Sequence, residues 1–216
     1  MTWDAEANLL SLTTPDLQTT TFSYNAQNRP TSGTDPMNHT TTFTYAANGV
    51  NLTQTQDAAN GTASFTYDQY GQRASLTDPD GNATQFQHNV QGDKTAETSP
   101  LNDQETWDYD PASQMTQNTD EQMNGFWFNY DSLGRLTWKT YPTMRFLGWT
   151  YDANSNVTHI GDDLMQEYHT TDRTYDALNR LTGETFDGAT VSYQYGPEGN
   201  RTAVTDRTGG HSYQYD

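Results

Sequence analysis

Aromatic side chains recur in pairs two residues apart along much of the chain. The pairs are Phe22 and Tyr24, Phe43 and Tyr45, Phe65 and Tyr67, Trp107 and Tyr109, Phe128 and Tyr130, Trp149 and Tyr151, and Tyr193 and Tyr195. The residue between the two rings is polar in each pair, as at Ser23, Thr44 and Asn129. Because successive side chains of a strand point to opposite faces, this pattern predicts β-strands with one buried aromatic face and one wet face.

The second ring of each pair belongs to a series of regularly spaced marker positions. The markers are Trp3, Tyr24, Tyr45, Tyr67, His88, Tyr109, Tyr130, Tyr151, Tyr175, Tyr195 and Tyr215. The interval between neighbouring markers is nearly constant, and the longest interval runs from Tyr151 to Tyr175. A fixed period of this kind indicates tandem repeats. We predict a single array of about ten repeats over residues 1–216, with no separate second domain.

Each repeat predicts a β-hairpin. After the marker Tyr175, the loop 176–179 leads into a second strand at Arg180-Leu181-Thr182, and turns such as Asp78-Pro79-Asp80-Gly81 return the chain. The predicted fold class is therefore all-β, with stacked antiparallel hairpins in one long sheet that curves or spirals because strands twist. In the longest marker interval Arg173 replaces the first ring, and the extra residues near Asp162-Asp163-Leu164 are expected to form a longer turn or a bulge.

The marker sequences carry a family resemblance. YDALNRLTGETFDGATVSYQY at 175–195 and YDSLGRLT at 130–137 resemble the YD repeat of Rhs proteins, teneurins and insecticidal toxin-complex shells. The resemblance covers essentially the whole chain, although Asn25, Ala46, Asn89 and Gly196 replace the Asp and His88 replaces the Tyr. It implies a structural segment of a hollow, extracellular or cell-surface bacterial shell. The implied partners are the rest of a longer YD-repeat chain and an enclosed C-terminal polypeptide.

Composition narrows the possible functions. Only 31% of residues are hydrophobic and the net charge is -18, as in disordered chains, but 14 Tyr, 8 Phe and 5 Trp argue for a folded protein. The acidic balance makes nucleic acid and anionic membrane surfaces poor partners. The absence of cysteine excludes disulfides and thiolate zinc sites. No apolar run approaches the ~20 residues of a membrane span, and no signal peptide opens this segment.

The candidate site residues are mostly structural. Besides the marker tyrosines they are Asp68, Asp131 and Asp176, which are expected to form ion pairs across the marker turn with Arg73, Arg135 and Arg180. Asp78 and Asp80 form a weak calcium candidate, because their loop begins like an EF-hand but lacks its bidentate Glu. Plain turn chemistry is the favoured interpretation, and we expect no cofactor.

Three functions remain open, and none of them is enzymatic. The five histidines are scattered, and no nucleophile elbow, metalloprotease motif or P-loop is present. The favoured function is the shell segment. The alternatives are an adhesion or carbohydrate-binding module, in which exposed Trp127 and Trp138 would stack on sugars, and a scaffold of copies joined through sheet edges. The chain ends, at Trp3-Asp4 and Tyr213–Asp216, are expected to be unpaired edges.

Overall fold

The structure, a computed structural model, describes residues 1–163 and 167–214, and these residues form strands and turns without any helix. The strands are β1 (Thr2–Trp3), β2 (Leu9–Thr13), β3 (Thr19–Tyr24), β4 (Pro30–Thr34), β5 (Thr40–Tyr45), β6 (Leu52–Gln56), β7 (Thr62–Tyr67), β8 (Arg73–Thr77), β9 (Ala83–His88), β10 (Lys94–Thr98), β11 (Gln104–Tyr109), β12 (Met115–Thr119), β13 (Gly125–Tyr130), β14 (Leu136–Thr140), β15 (Phe146–Tyr151), β16 (Val157–Asp162), β17 (His169–Tyr175), β18 (Leu181–Phe186), β19 (Ala189–Tyr195), β20 (Arg201–Asp206) and β21 (Gly209–Ser212). Among the described residues there is no helix long and apolar enough to cross a membrane. The all-β fold class is confirmed.

The chain divides into two compact units, Met1–Thr106 and Trp107–Asp216. In the first unit, β1 to β10 and residues 104–106 of β11 pair in chain order, each strand antiparallel to the next. In the second unit, β12 to β21 pair in the same way. Each unit is therefore a series of sequential antiparallel hairpins, as predicted. The single array over residues 1–216 remains a prediction, and the marker Tyr215 lies outside the described residues.

A β-bulge accompanies the markers. Asn129 pairs with Trp138 but Tyr130 pairs with Leu136, so that Thr137 is the extra residue on β14. The same shift in register occurs at Tyr24, Tyr45, Tyr67, His88, Tyr151, Tyr175 and Tyr195. A bulge adds local right-handed twist to the strand that carries it. The same β-bulge, with its local increase in twist, therefore recurs next to each of these markers.

The aromatic face follows the predicted period of two but is less buried than predicted. Phe128 and Tyr130 are half-buried while Asn129 between them is exposed, and the other aromatic pairs share this pattern. Among the described apolar residues, Ala96 alone is buried, with 5% of its surface exposed. The physical reason is that the strands of each unit contact their neighbours within the sheet, and no second layer of described residues covers the rings. The prediction of a buried face is corrected to a half-buried one.

The extra residues of the longest marker interval lie between β16 and β17, because these two strands have the same lengths as β18 and β19 in the next interval. β16 and β17 contain 6 and 7 residues, and they pair from His159–Asp172 to Asp162–His169. Asp162 therefore ends a strand, whereas Leu164, the last residue of the predicted turn or bulge, lies outside the described residues. In the slot of the missing ring, the Arg173 Nε donates to Glu184 Oε2 at 2.7 Å. An ion pair thus replaces an aromatic contact in this repeat.

Candidate functional site

Most turns share one five-residue design, at the marker end and at the opposite end of the hairpins. At Asp131, the Oδ1 atom accepts the backbone N–H groups of Leu133 at 2.9 Å and of Arg135 at 3.0 Å. The first side chain accepts the same two bonds at Asp4, Asn25, Asp35, Asp57, Asp68, Asp78, Asn89, Ser99, Asp110, Asp120, Asp152 and Asp176. Any short side chain with an oxygen acceptor can do this, which explains why Asn replaces the marker Asp.

The fourth residue of these turns adopts the left-handed conformation. Its φ is 78° at Gly134 and 61° at Asn179, and the loops SLG and ALN end on these residues. Glycine and asparagine enter this region at low cost, which accounts for their place in the repeat. Met123 adopts it as well, with a φ of 64°. The turn hydrogen bonds therefore hold the conformation even where the residue type does not favour it.

The weak calcium candidate lies in one of these turns. Asp78 Oδ1 accepts the N–H groups of Asp80 at 2.9 Å and of Asn82 at 2.8 Å, while its Oδ2 accepts the Asn82 Nδ2 at 2.9 Å. The Asn82 side chain holds the pKa of Asp78 below its usual value. In the part of the chain that the structure describes, no cluster of three His, Cys, Asp or Glu side chains could hold a metal ion. Turn formation remains our interpretation of Asp78 and Asp80.

The structure contains two of the three expected Asp–Arg pairs. Arg135 Nη2 lies 2.7 Å from Asp131 Oδ2, and Arg180 Nη2 lies 2.7 Å from Asp176 Oδ2. The expected pair of Asp68 with Arg73 is not seen among the described residues. Arg73 stands one position later in its turn than Arg135 and Arg180 do in theirs, and its guanidinium lies 5.0 Å from the centre of the Phe65 ring. This added position therefore moves the side chain from the turn to the aromatic face.

The arginines that pair with Asp also reach the following repeat. The Arg135 guanidinium lies 4.5 Å from the ring centre of Tyr151, and its Nη1 donates to the Asp152 carbonyl at 2.9 Å. The Tyr151 hydroxyl in turn donates to the Leu136 carbonyl at 2.6 Å. We call this set of contacts, from Arg135 and Leu136 to Tyr151 and Asp152, the repeat junction. It connects two hairpins through charge, ring stacking and hydrogen bonding at once.

A second junction has the same geometry. Arg180 lies 4.7 Å from the ring centre of Tyr195 and donates from Nη1 to the Gly196 carbonyl at 3.3 Å. The Tyr195 hydroxyl donates to the Leu181 carbonyl at 2.7 Å. Gly196 is one of the residues that replace the marker Asp, and only its backbone is used here. The junction therefore tolerates the loss of the acid in the following repeat.

The marker hydroxyl makes this bond in further repeats. Tyr24, Tyr45, Tyr67 and Tyr175 donate to the carbonyls of Leu9, Pro30, Leu52 and Val157, at distances of 3.1, 2.8, 2.9 and 2.9 Å. Each acceptor is the first residue of the second strand in the preceding hairpin. Sequence reasoning treated the markers as rings alone and missed this role. The available signal was that Phe occurs at the earlier position of several pairs but at none of the markers.

Removal of one marker hydroxyl tests this bond. We expect Tyr151→Phe to lower the free energy of unfolding by about 1 kcal/mol, because the Leu136 carbonyl loses its donor while the ring stays in place. Tyr70→Phe is the matched control, since Tyr70 is 62% exposed in a turn. Urea unfolding followed by tryptophan fluorescence gives both values. Equal effects of the two substitutions would contradict the role of the marker hydroxyl.

The arginine of the junction gives a second test. We expect Arg135→Ala to cost at least ~1.5 kcal/mol of unfolding free energy, from the ring contact with Tyr151 and the bond to the Asp152 carbonyl. Arg135→Lys keeps the charge but not the planar fork, so it should recover only part of the loss. Full recovery by Lys in urea unfolding would show that charge alone is needed at this position.

The two tryptophans proposed for carbohydrate contact lie on the face opposite the marker rings. Trp127 is 36% exposed and lies against Gly125, where an added Cβ would come within 2.7 Å of the indole. Trp138 is 40% exposed and stacks on Phe146, with ring centres 4.3 Å apart. Among the residues that the structure describes, Trp138 therefore joins an aromatic cluster and Trp127 does not.

The fold and the junctions define a tandem-repeat protein in which all-β hairpins are joined edge to edge. Comparison with protein families agrees with this class. The model of the Teneurin YD-shell matches residues 1–149, and that of the RHS Repeat matches residues 175–211. The chain belongs to the teneurin YD-shell family. No curated protein matches the sequence.

Solved structures with a similar fold are toxin-complex components. The crystal structure of TcdB2-TccC3-TEV matches over 94% of this chain with a TM-score of 0.66 and 15% identity, and that of TcdB2-TccC3-Cdc42 over 93% with 0.65 and 15%. The Photorhabdus luminescens Tc holotoxin pore matches over 96% with a TM-score of 0.51 and 14% identity. These matches show the fold. This chain spans only 12% of the first two chains and 16% of the third.

Proposed function

We propose that this chain is a wall segment of a YD-repeat shell that encloses another polypeptide. The observation that carries the proposal is the repeat junction, in which the Tyr151 hydroxyl and the Arg135 guanidinium fasten one hairpin to the next. Membership of the teneurin YD-shell family supports it. The single array over residues 1–216 and an extracellular or cell-surface location are parts of the same proposal.

The physical argument concerns a sheet that has no second layer. In each unit the described strands contact only their neighbours in the sheet, so burial of apolar surface stabilises each hairpin less than in an ordinary core. Bonds between successive repeats must supply more of the stability, as in other repeat proteins. A sheet held together along its own plane can serve as a wall, because its stability does not require a second layer packed on either face. We therefore assign the chain a structural role and no catalysis.

Protection from proteolysis tests the enclosure. The native gene product is isolated with an antibody against this chain and treated with a broad-specificity protease, with and without prior unfolding in urea. We expect peptides of an enclosed polypeptide to appear in mass spectra only after unfolding, while the turns of the wall are cut first. Cleavage of the wall and of the further polypeptide at similar rates under native conditions would contradict enclosure. A native gene product that contains no polypeptide beyond the wall would contradict enclosure as well.

A further inference from the structure

A mostly apolar pocket lies on the face opposite the marker rings in the second unit. Its volume is about 340 Å³, and its lining includes Trp138, Phe146, Gly148, Gly161 and Tyr168. Trp138 pairs with Gly148 and Gly148 pairs with Gly161, so these three positions form one row across β14, β15 and β16. We call it the Trp138 pocket. It uses none of the contacts of the repeat junction, so its ligand can be tested independently of the proposed role in a wall.

Two buried glycines on neighbouring strands form the floor of the Trp138 pocket. A Cβ at Gly148 would come within 2.9 Å of two atoms of the Trp138 ring, and a Cβ at Gly161 within 2.6 Å of the Tyr168 hydroxyl oxygen. Glycine inside a strand often marks a place where a ligand or another backbone approaches closely. The lack of a side chain at both positions therefore lets Trp138 and Tyr168 lie directly on the sheet and bound the cavity with their rings.

Three aromatic rings line the pocket and remain partly open to solvent. Trp138 and Phe146 stack with 14° between their planes, and the ring centres of Phe146 and Tyr168 are 6.1 Å apart. Trp138 is 40% exposed and Tyr168 is 60% exposed. The face of an aromatic ring is the negative part of its quadrupole, so it attracts a cation. The chain makes the same contact on its other face, where the Lys139 ammonium lies 4.6 Å from the ring centre of Tyr141.

The surroundings of the Trp138 pocket are acidic. His159 lines the pocket, and its Nδ1 lies 2.7 Å from Asp172 Oδ1, so a carboxylate lies next to this wall. Glu167 is exposed and directly precedes Tyr168 in the chain. Among the described residues that line the pocket there is no lysine or arginine, and the whole chain has a net charge of -18. The charge distribution therefore favours a cation over a neutral or anionic ligand.

A quaternary ammonium group fits this pocket better than a metal ion or a primary ammonium does. Both of the latter are strongly hydrated, and oxygen ligands must replace their water. In the described part of the chain, no cluster of three His, Cys, Asp or Glu side chains could hold a metal ion. A quaternary ammonium group has no N–H donors to satisfy, and aromatic cages are its usual binding sites in proteins.

We propose that the Trp138 pocket binds a small, free cation that carries a quaternary ammonium group. The methylated head contacts the open faces of Trp138 and Tyr168, while Asp172 and Glu167 supply the complementary charge. The volume of the pocket lies near the lower end for ligand pockets, as suits a small molecule.

The test is an NMR titration of the full chain with choline. It is followed through the tryptophan indole N–H signals and the line width of the choline methyl signal. The matched control ligand is 3,3-dimethyl-1-butanol, which has the same shape with a carbon in place of the charged nitrogen, and potassium chloride at equal ionic strength controls for salt. We expect choline to shift the Trp138 signal saturably and the neutral analogue to bind about tenfold more weakly. Equal affinity for the two ligands, or no saturable shift with choline, would overturn the proposal.

Phosphocholine tests whether the ligand is a free cation or the head group of a lipid. It carries the same ammonium group together with a phosphate, so the acidic surroundings should make it bind more weakly than choline. Tighter binding of phosphocholine would overturn the assignment of a cationic ligand and would indicate a lipid head group instead.

Four variants locate the binding. Tyr168→Leu should weaken choline binding severalfold by removing a ring, whereas Tyr168→Phe keeps the ring and should bind nearly as well. Asp172→Asn should weaken the binding of choline but not of 3,3-dimethyl-1-butanol. Both positions are largely exposed, so these variants should fold. Trp127→Ala is the matched control, because Trp127 lies on the same face outside the pocket, and it should leave the affinity unchanged.

The variants can also contradict the proposal. Unchanged choline affinity in Tyr168→Leu would show that the ring is not part of the site. Equal losses in Tyr168→Leu and Trp127→Ala would show that binding is not confined to the Trp138 pocket, and this result would overturn the proposal as well.

Discussion

Replacement of Phe128 by Ala is expected to lower the free energy of unfolding by about 2 kcal/mol, and Asn129→Ala by less than about 0.5 kcal/mol. Phe128 is half-buried on the marker face, where the Lys139 ammonium lies 5.6 Å from its ring centre. Asn129 is exposed on the other face. Loss of a fully buried Phe costs roughly 3–5 kcal/mol, and the value here is smaller because half-burial leaves less area to lose.

Urea unfolding of the two variants, compared at equal m-value, measures this difference. Asn129→Ala is the matched control, since it truncates the neighbouring residue of the same strand. Phe43→Ala and Thr44→Ala repeat the comparison in the first unit, where the same alternation of burial occurs. Equal costs within either pair would contradict the period-two face. A loss of about 4 kcal/mol or more at Phe128, a full-burial value, would mean that something covers the face in solution.

The degree of burial of the aromatic face could not be predicted from the sequence. The spacing of two between Phe128 and Tyr130 fixes which side chains share a face, because the alternation is a local property of a strand. Whether that face is covered depends on a second layer of structure, and no local pattern specifies one. The prediction of a buried face therefore named the right residues but overestimated how deeply they are buried.

The arginines show a similar limit. The four-residue spacing from Asp131 to Arg135 is visible in the sequence, as is the five-residue spacing from Asp68 to Arg73, so the difference between these turns could have been predicted. The contact of Arg135 with Tyr151 could not have been predicted from the spacing of residues. It requires the register of β13, β14 and β15 and the bulge beside Tyr130, which only the paired strands define.

The surroundings of Trp138 depend even more on register. The sequence singled out Trp127 and Trp138 together as exposed rings, and it gave no reason to separate them. The separation arises because Gly148 on β15 pairs with both Trp138 on β14 and Gly161 on β16. The sequence did not single out Tyr168, and it treated His159 only as one of five scattered histidines.

Acid is expected to weaken the whole protein through its turns. The Arg135 side chain and backbone hold the pKa of Asp131 below its usual value, and the Arg180 N–H does the same for the pKa of Asp176. Turn hydrogen bonds also lower the pKa of Asp4, Asp35, Asp78, Asp120, Asp152 and Asp206. A carboxyl group with a lowered pKa in the folded state stabilises the fold above its unfolded pKa of about 3.9. That stability is lost as the pH falls through the folded-state value.

The urea midpoint should therefore fall below about pH 4, after little change between pH 7 and pH 5. At higher pH a histidine matters, because the side-chain hydrogen bond to Asp187 raises the pKa of His169. The stability that this bond contributes is fully present below about pH 6.5 and is lost only as the pH rises. Asp131→Asn is the matched variant, because an amide oxygen can accept the same two N–H bonds, as Asn25 does. It should start less stable at pH 7, without its ion pair, and lose less on acidification than the unmodified chain. A midpoint that rises below pH 4 would mean that relief of repulsion within a chain of net charge -18 outweighs the turns.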